Sequence, residues 1–207
     1  MALSKEKTFC KLGLFGSSHI QQFKDEILTS ESVKTYKLSY SPKSASAILK
    51  VNKTEQVINK IRKKAVELDA VLIMIGGNDI HAHCNPTTIA KNIISIANKF
   101  EQNNIEPIIV PILNRTSPRN MLHKSQYNKC RNEINSQLRS HYKTIRQQKV
   151  LKINHLALKD DGVHLLESSY AILCKAILHH LDRLTTNSLK TAGSHKNGNI
   201  EYIIEYL

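Results

Sequence analysis

Ala70-Val71-Leu72-Ile73-Met74-Ile75-Gly76-Gly77-Asn78-Asp79 is the stretch that decides how this chain folds. Six apolar residues follow one another without alternation, and two glycines stop the run. A half-exposed strand alternates apolar and polar side chains; an unbroken run belongs to a strand covered on both faces, as in parallel sheets. Upstream, Phe9 to Phe15 reads as a first strand stopped by Gly16, and Val33 to Tyr40 alternates as a second. Downstream, Ile108-Ile109-Val110 lies between Pro107 and Pro111, and Val150 to Ile153 reads as the last strand. Helical spacing separates these runs. Helices are expected over His19–Leu28, Thr54–Leu68, Pro86–Gln102, Lys124–Gln148 and Leu165–Leu184. Strand and helix thus alternate, which predicts an α/β fold: a mostly parallel sheet of five strands with helices on both faces.

The 207 residues suffice for one domain with its own core. We place that domain at residues 8–184. From Thr185 to Gly198 the chain turns polar and reads as a tail or linker. Residues 200–207 regain apolar character and are expected to add an edge strand or a short docking helix. No apolar run approaches the ~18 residues of a membrane span. The first residues, Met1 to Lys7, lack the apolar core of a signal peptide. Cys10, Cys84, Cys130 and Cys174 are scattered and include no CxxC pair. A reduced, cytoplasmic compartment is the expectation.

Lys and Arg number 30 against 17 Asp and Glu, a formal net charge of +13. That balance points to a polyanionic partner, nucleic acid or an anionic surface, or to nothing more than a lysine-rich solvated exterior. The stretch from Lys124 carries Lys129, Arg131, Arg139, Lys143 and Arg146 against Glu133 alone, and is the best candidate for such a contact. Trp is absent and aromatic residues make up 5%, which argues against a base-stacking platform. No GxxxxGK[ST] sequence supports a P-loop.

In open α/β sheets, ligands bind beyond the carboxyl ends of the strands, so the segments just after each run matter most. Gly16-Ser17-Ser18-His19 follows the first strand, Gly76-Gly77-Asn78-Asp79 the third, and Asp161-Gly162-Val163-His164 the last. Together they offer a nucleophile, an oxyanion donor and an oriented base. A serine hydroxyl needs a base to take its proton, and an imidazole with intrinsic pKa near ~6.5 suits that task. A carboxylate three residues earlier can reach back to the other ring nitrogen and fix its tautomer. Ser17 reads as structural, and Ser18 alone could serve as a helix N-cap. Asp79 reads as a brace for its loop.

These segments resemble blocks I, III and V of the SGNH (GDSL-type) hydrolases, over about residues 8 to 184. The resemblance implies a three-layer α/β/α sandwich with a five-stranded parallel sheet. It implies hydrolysis of acetyl or lipid-type acyl esters without metal or cofactor. By position it makes Ser18 the nucleophile, His164 the base and Asp161 its partner. Asn78 and the backbone N–H of Ser18 become oxyanion donors. Two departures stand out. Ser17 takes the place of the block I aspartate, and block II has no glycine; in Tyr40 to Ser46, Ser44 holds that position. Both departures leave room for a weakened enzyme or a silent relative. Domains resembling this one also occur in mobile-element proteins, which matches the alternative of a module that binds nucleic acid through a basic face.

His81-Ala82-His83-Cys84 places two imidazoles and a thiol close together, but with no second ligand pair it reads as groove lining rather than a metal site. His81 is therefore assigned to the substrate groove. Arg115 and Arg119 are expected on the rim after the fourth strand, with Arg115 engaging an anionic group of the substrate.

Overall fold

The structure is a computed structural model that describes residues 10–16, 18–21, 32–39, 44–50, 52–63, 67–118, 122–144, 148–153, 156–191 and 201–206. Its strands are β1 (Cys10–Gly16), β2 (Ser32–Ser39), β3 (Ala70–Met74), β4 (Glu106–Ile109) and β5 (Glu201–Tyr206). Its helices are α1 (Ser18–Gln21), α2 (Ala45–Lys50), α3 (Lys53–Lys63), α4 (Pro86–Glu101), α5 (Lys124–Thr144) and α6 (Glu167–Thr191). The five strands form one sheet in the order β4-β3-β1-β2-β5. Every neighbouring pair is parallel.

β3 shows why its sequence does not alternate. Val71 and Ile73 join the core on one face, and Ala70, Leu72 and Met74 join the core on the other. All five are buried, because successive side chains point to opposite faces and both faces are covered. Residues of α2, α3, α4 and α5 fill the first core; Ile20 of α1 and Tyr170, Leu173, Cys174, Ile177 and Leu181 of α6 fill the second. This is the three-layer α/β/α arrangement that the sequence predicts.

α4 begins where its sequence dictates. Asn85 caps it, its side chain accepting from the N–H of Thr87 at 2.9 Å and of Thr88 at 3.2 Å, and Pro86 follows at the first turn. α5 buries Tyr127, Ile134, Leu138 and Tyr142, a stripe on one face.

One strand is not where it was expected. Val150 makes a single parallel bridge with Ile109 and extends no further as a strand. Two hydrogen bonds form there, Ile109 N–H to Lys149 O at 2.7 Å and Leu151 N–H to Ile109 O at 2.9 Å. The preceding Lys149 is buried and fixed between Glu101 at 2.8 Å and Glu106 at 3.0 Å, which pins this segment at one point of the β4 edge. The fifth strand is instead β5, added at the opposite edge against β2. This is the edge-strand option expected for the C-terminal apolar residues. α6 runs to Thr191, past Leu184, into the stretch whose polar composition reads as a tail. Of the helix expected over His19–Leu28, residues 22–28 lie outside the described residues, as do Ser17, Arg119, Tyr40 to Lys43 and the 192–200 stretch. Among the described residues no helix is long and apolar enough to cross a membrane.

The loop after β3 packs on α5. There the thiols of Cys84 and Cys130, 46 positions apart, lie 3.3 Å from each other. Burial, with the hydrogen bond to Cys84, pushes the Cys130 thiol up to about 12.

Candidate active site

The strand order places the switch point of the sheet at β1. The chain passes from β1 to β2 on one side and returns to β3 on the other. The loops leaving β1 and β3 therefore diverge there and open a crevice at their carboxyl ends. Ser18 stands at the first position of α1, directly beyond β1, and Asn78 stands in the turn after β3.

His164 reaches this crevice from a tight turn. Leu158 and Leu165 form an antiparallel bridge, and the Lys159 N–H donates to His164 O at 2.7 Å. Gly162, at the tip, has φ of +66°. A side chain there would be strained by its backbone and would also press within 2.8 Å of the Ser117 nitrogen. Leu165 is fully buried in the α6 core, which anchors the turn from below.

Within the turn, Asp161 uses both oxygens. Oδ1 accepts from the N–H groups of Val163 and His164, each at 2.9 Å. Oδ2 lies 2.6 Å from His164 Nδ1. The hydrogen bond to the His164 ring, followed by those from the two amides, holds the Asp161 carboxyl well below the usual carboxylate range. A carboxylate requires the proton on Nδ1, and this leaves Nε2 as the acceptor. Nε2 lies 3.3 Å from Ser18 Oγ. The serine hydroxyl, the imidazole and the carboxylate thus form a continuous hydrogen-bonded line across 146 positions of sequence. This line can move a proton from the hydroxyl to the ring.

His19 is a second imidazole beside the first. Its ring centroid is 5.3 Å from that of His164, and the residue is 6% exposed. No described residue offers its Nδ1 a hydrogen bond. Burial first, then the neighbouring His164 and Arg115, lowers its pKa to about 4. It is a neutral packing ring, a role the sequence pattern does not distinguish from that of any other histidine.

The Asn78 side of the crevice is held differently. Asn78 Oδ1 accepts from Arg115 Nη2 at 2.8 Å. Arg115, expected on an exposed rim, is 5% exposed and turned inward. Its guanidinium carbon stands 5.6 Å from the Tyr127 ring centroid. Asp79 is 7% exposed; it accepts from the N–H of Ala45 at 2.7 Å and of Ser46 at 3.0 Å. Its carboxylate therefore fixes the start of α2, the part of block II that carries Ser44. Ser44 Oγ accepts from the Ala47 N–H at 3.2 Å as a further cap. The brace expected of Asp79 is thus a link between two loops of the site. His19, Gly77, Arg115 and Tyr127 line one cavity of about 20 Å³, room for about one water.

His81 lies on an exposed turn, where its Nδ1 accepts from the His83 N–H at 3.3 Å. It does not line that cavity. Among the described residues, no three His, Cys, Asp or Glu side chains gather as a metal site. Tyr127 and Asn135, which hold the Arg115 loop, carry no motif that sequence reading could have found. Their helical spacing shows only that α5 has a buried face.

The family model described as GDSL-like lipase/acylhydrolase matches residues 16–178. No curated protein matches the chain. Among solved structures, the fold is similar to a lipase/acylhydrolase from Enterococcus faecalis, with a TM-score of 0.63 at 16% identity over 84% of this chain and 95% of that one. It is similar to the M. smegmatis aryl esterase, with a TM-score of 0.63 at 15% identity over 84% of this chain and 99% of that one. A carbohydrate esterase family 3 protein from Talaromyces cellulolyticus gives 0.58 at 17% identity over 86% and 99%. At these identities the likeness is one of fold. The family match takes in the loop after β1, the loop after β3 and the His164 turn, and the chain belongs to the GDSL-like lipase/acylhydrolase family.

Proposed function

We propose that this protein hydrolyses carboxylic esters, of acetyl or lipid-type acyl groups, through an acyl-enzyme on Ser18. Ser18 Oγ attacks the ester carbonyl as His164 Nε2 takes its proton. Asp161 holds the ring and the resulting positive charge. The tetrahedral oxyanion is met by the Asn78 amide and by the N–H groups of Ser18 and Ser44. His164 returns the proton to the departing alcohol. It then activates water, whose attack frees the acid and Ser18. His81, on its exposed turn, belongs to the rim of the substrate groove. The observation that carries this reading is the Ser18–His164–Asp161 line, at 3.3 Å and 2.6 Å. Esterases among the similar structures support the reaction class. Labelling with a fluorophosphonate probe tests it. Label on Ser18, lost in Ser18→Ala together with ester turnover, is the expected result. Unchanged turnover in Ser18→Ala overturns the reading.

A second reading rests on α5. Lys129, Arg139 and Lys143 are exposed along it, and Glu133 is its single acid. This face would contact nucleic acid or another polyanion, with or without esterase activity. RNA binding that weakens steeply with salt, and weakens further in Lys129→Ala/Arg139→Ala/Lys143→Ala, is the expected result. No binding at low salt excludes it.

A further inference from the structure

Arg115 is buried beside the proposed oxyanion donor, yet the reaction above gives it no task. We infer that Arg115 is a positioning residue, whose guanidinium locks the Asn78 amide with Oδ1 inward and Nδ2 presented to the ester oxyanion. The inference rests on the ester-hydrolase reading and names how one part of that site is set.

An asparagine amide can turn by half a rotation and exchange its oxygen and nitrogen. A guanidinium carries donors and no acceptor, so it accepts one of the two orientations and rejects the other. With Arg115 Nη2 at 2.8 Å from Oδ1, a half turn would set NH₂ against N–H. Fixing Oδ1 fixes Nδ2 on the other limb of the amide. The positive guanidinium beside Oδ1 also polarises the amide and makes its N–H groups better donors.

The guanidinium is itself held on several sides. A Cβ at Gly77 would lie 3.1 Å from Nη2 and 3.3 Å from the Tyr127 hydroxyl, so the guanidinium sits close against this backbone and a side chain there would make it give by a few tenths of an ångström. The Tyr127 ring faces the guanidinium carbon at 5.6 Å, and the Tyr127 hydroxyl donates to Leu113 O at 3.2 Å. Asn135 on α5 grips the backbone of Ile112 twice, accepting from its N–H at 2.8 Å and donating to its O at 2.9 Å. On the far side of Arg115, the Thr116 N–H donates to Gly162 O at 2.8 Å. One loop thus bears on Asn78 through Arg115 and on the His164 turn through Gly162. The same burial argues against the reading in which Arg115 meets an anionic substrate group.

A double-mutant cycle with p-nitrophenyl acetate as the probe ester tests this on the full chain. Asn78→Ala is expected to lower kcat about 100-fold or more. Arg115→Met is expected to lower kcat by about 10- to 100-fold, the scale of one hydrogen bond from a charged group, with KM changed less than about threefold. In the double variant, Arg115→Met is expected to add less than about threefold to Asn78→Ala, because it acts through that amide. Thermal melting checks that each variant is folded. Arg115→Gln, whose amide offers a donor and an acceptor and so no longer selects one orientation of Asn78, replaces Arg115→Met if the latter is unfolded, with the same expectations. Multiplying effects in the double variant overturn the inference. So does a raised KM for the anionic succinate monoester of p-nitrophenol with kcat unchanged, which would make Arg115 a substrate ligand. Wild-type protein that neither turns over ester nor takes the fluorophosphonate label overturns the hydrolase reading and this inference with it. Active wild type with independent variants overturns this inference alone.

Discussion

The turn that carries His164 and the loop that carries Arg115 meet at one crevice, and they are organised on opposite principles. The first is local. Asp161 reaches His164 Nδ1 and two backbone N–H groups within three positions, around one glycine at positive φ. The second is assembled from afar. Arg115 reaches Asn78 across 37 positions, and Asn135 reaches Ile112 across 23. The proposed proton relay needs one imidazole at one angle, which a short turn can set. The proposed oxyanion donor, Asn78, has to be held against the pull of solvent on its amide, and buried partners from other elements do that. Asp161 and Asp79 show the same contrast. Asp161 is about half exposed and bonds only within its own turn, to ring and backbone alike, whereas Asp79 is buried and reaches the backbone of α2 from 34 positions away.

Breaking the local half should have the largest effect. Asp161→Asn keeps an oxygen for the two amides and loses the charge that sets the imidazole tautomer. Ester turnover is expected to fall about 10³- to 10⁴-fold with little change in melting temperature. A fall of less than tenfold would show that the turn backbone alone orients His164.

Breaking the distant half should be felt first as stability. Asp79→Ala removes two charge-assisted bonds to the start of α2 and is expected to cost about 3–5 kcal/mol by urea unfolding. Asp79→Asn, which keeps one acceptor, should cost about half as much. Equal losses in both variants would show that the charge, and not the bonding geometry, holds block II.

The paired imidazoles give the smallest and most pH-specific effect. Buried His19 has a folded pKa of about 4, below its unfolded value near 6.5. Between those pH values the unfolded chain binds a proton that the folded chain refuses, so stability is full above about pH 6.5 and declines toward pH 4. The full contribution is about 3 kcal/mol. His180, also buried and lowered to about 4, acts with the same sign. His19→Leu should therefore remove about half of the decline measured by urea unfolding between pH 7 and pH 4. A decline as steep as that of the wild type would show that His19 is not held neutral.

Signals local to the chain were enough to read the sheet with helices on both faces, the strands β1 to β4 and the three loops of the crevice. An unbroken apolar run reports two covered faces, a glycine reports where a strand stops, and Asp161 and His164 are close enough in sequence to find each other without help. The tertiary structure alone decided the rest. It gave the fifth strand to Glu201–Tyr206, because an unpaired β2 edge can be closed by whichever segment arrives there, and pinned Val150 to one bridge beside the buried Lys149. It turned Arg115 from an expected rim into the interior, where Asn78 and Tyr127 supply partners that no spacing in the sequence announces. Strand patterns are written in neighbours along the chain. Edge pairing and the burial of a charge depend on which distant groups arrive to satisfy them.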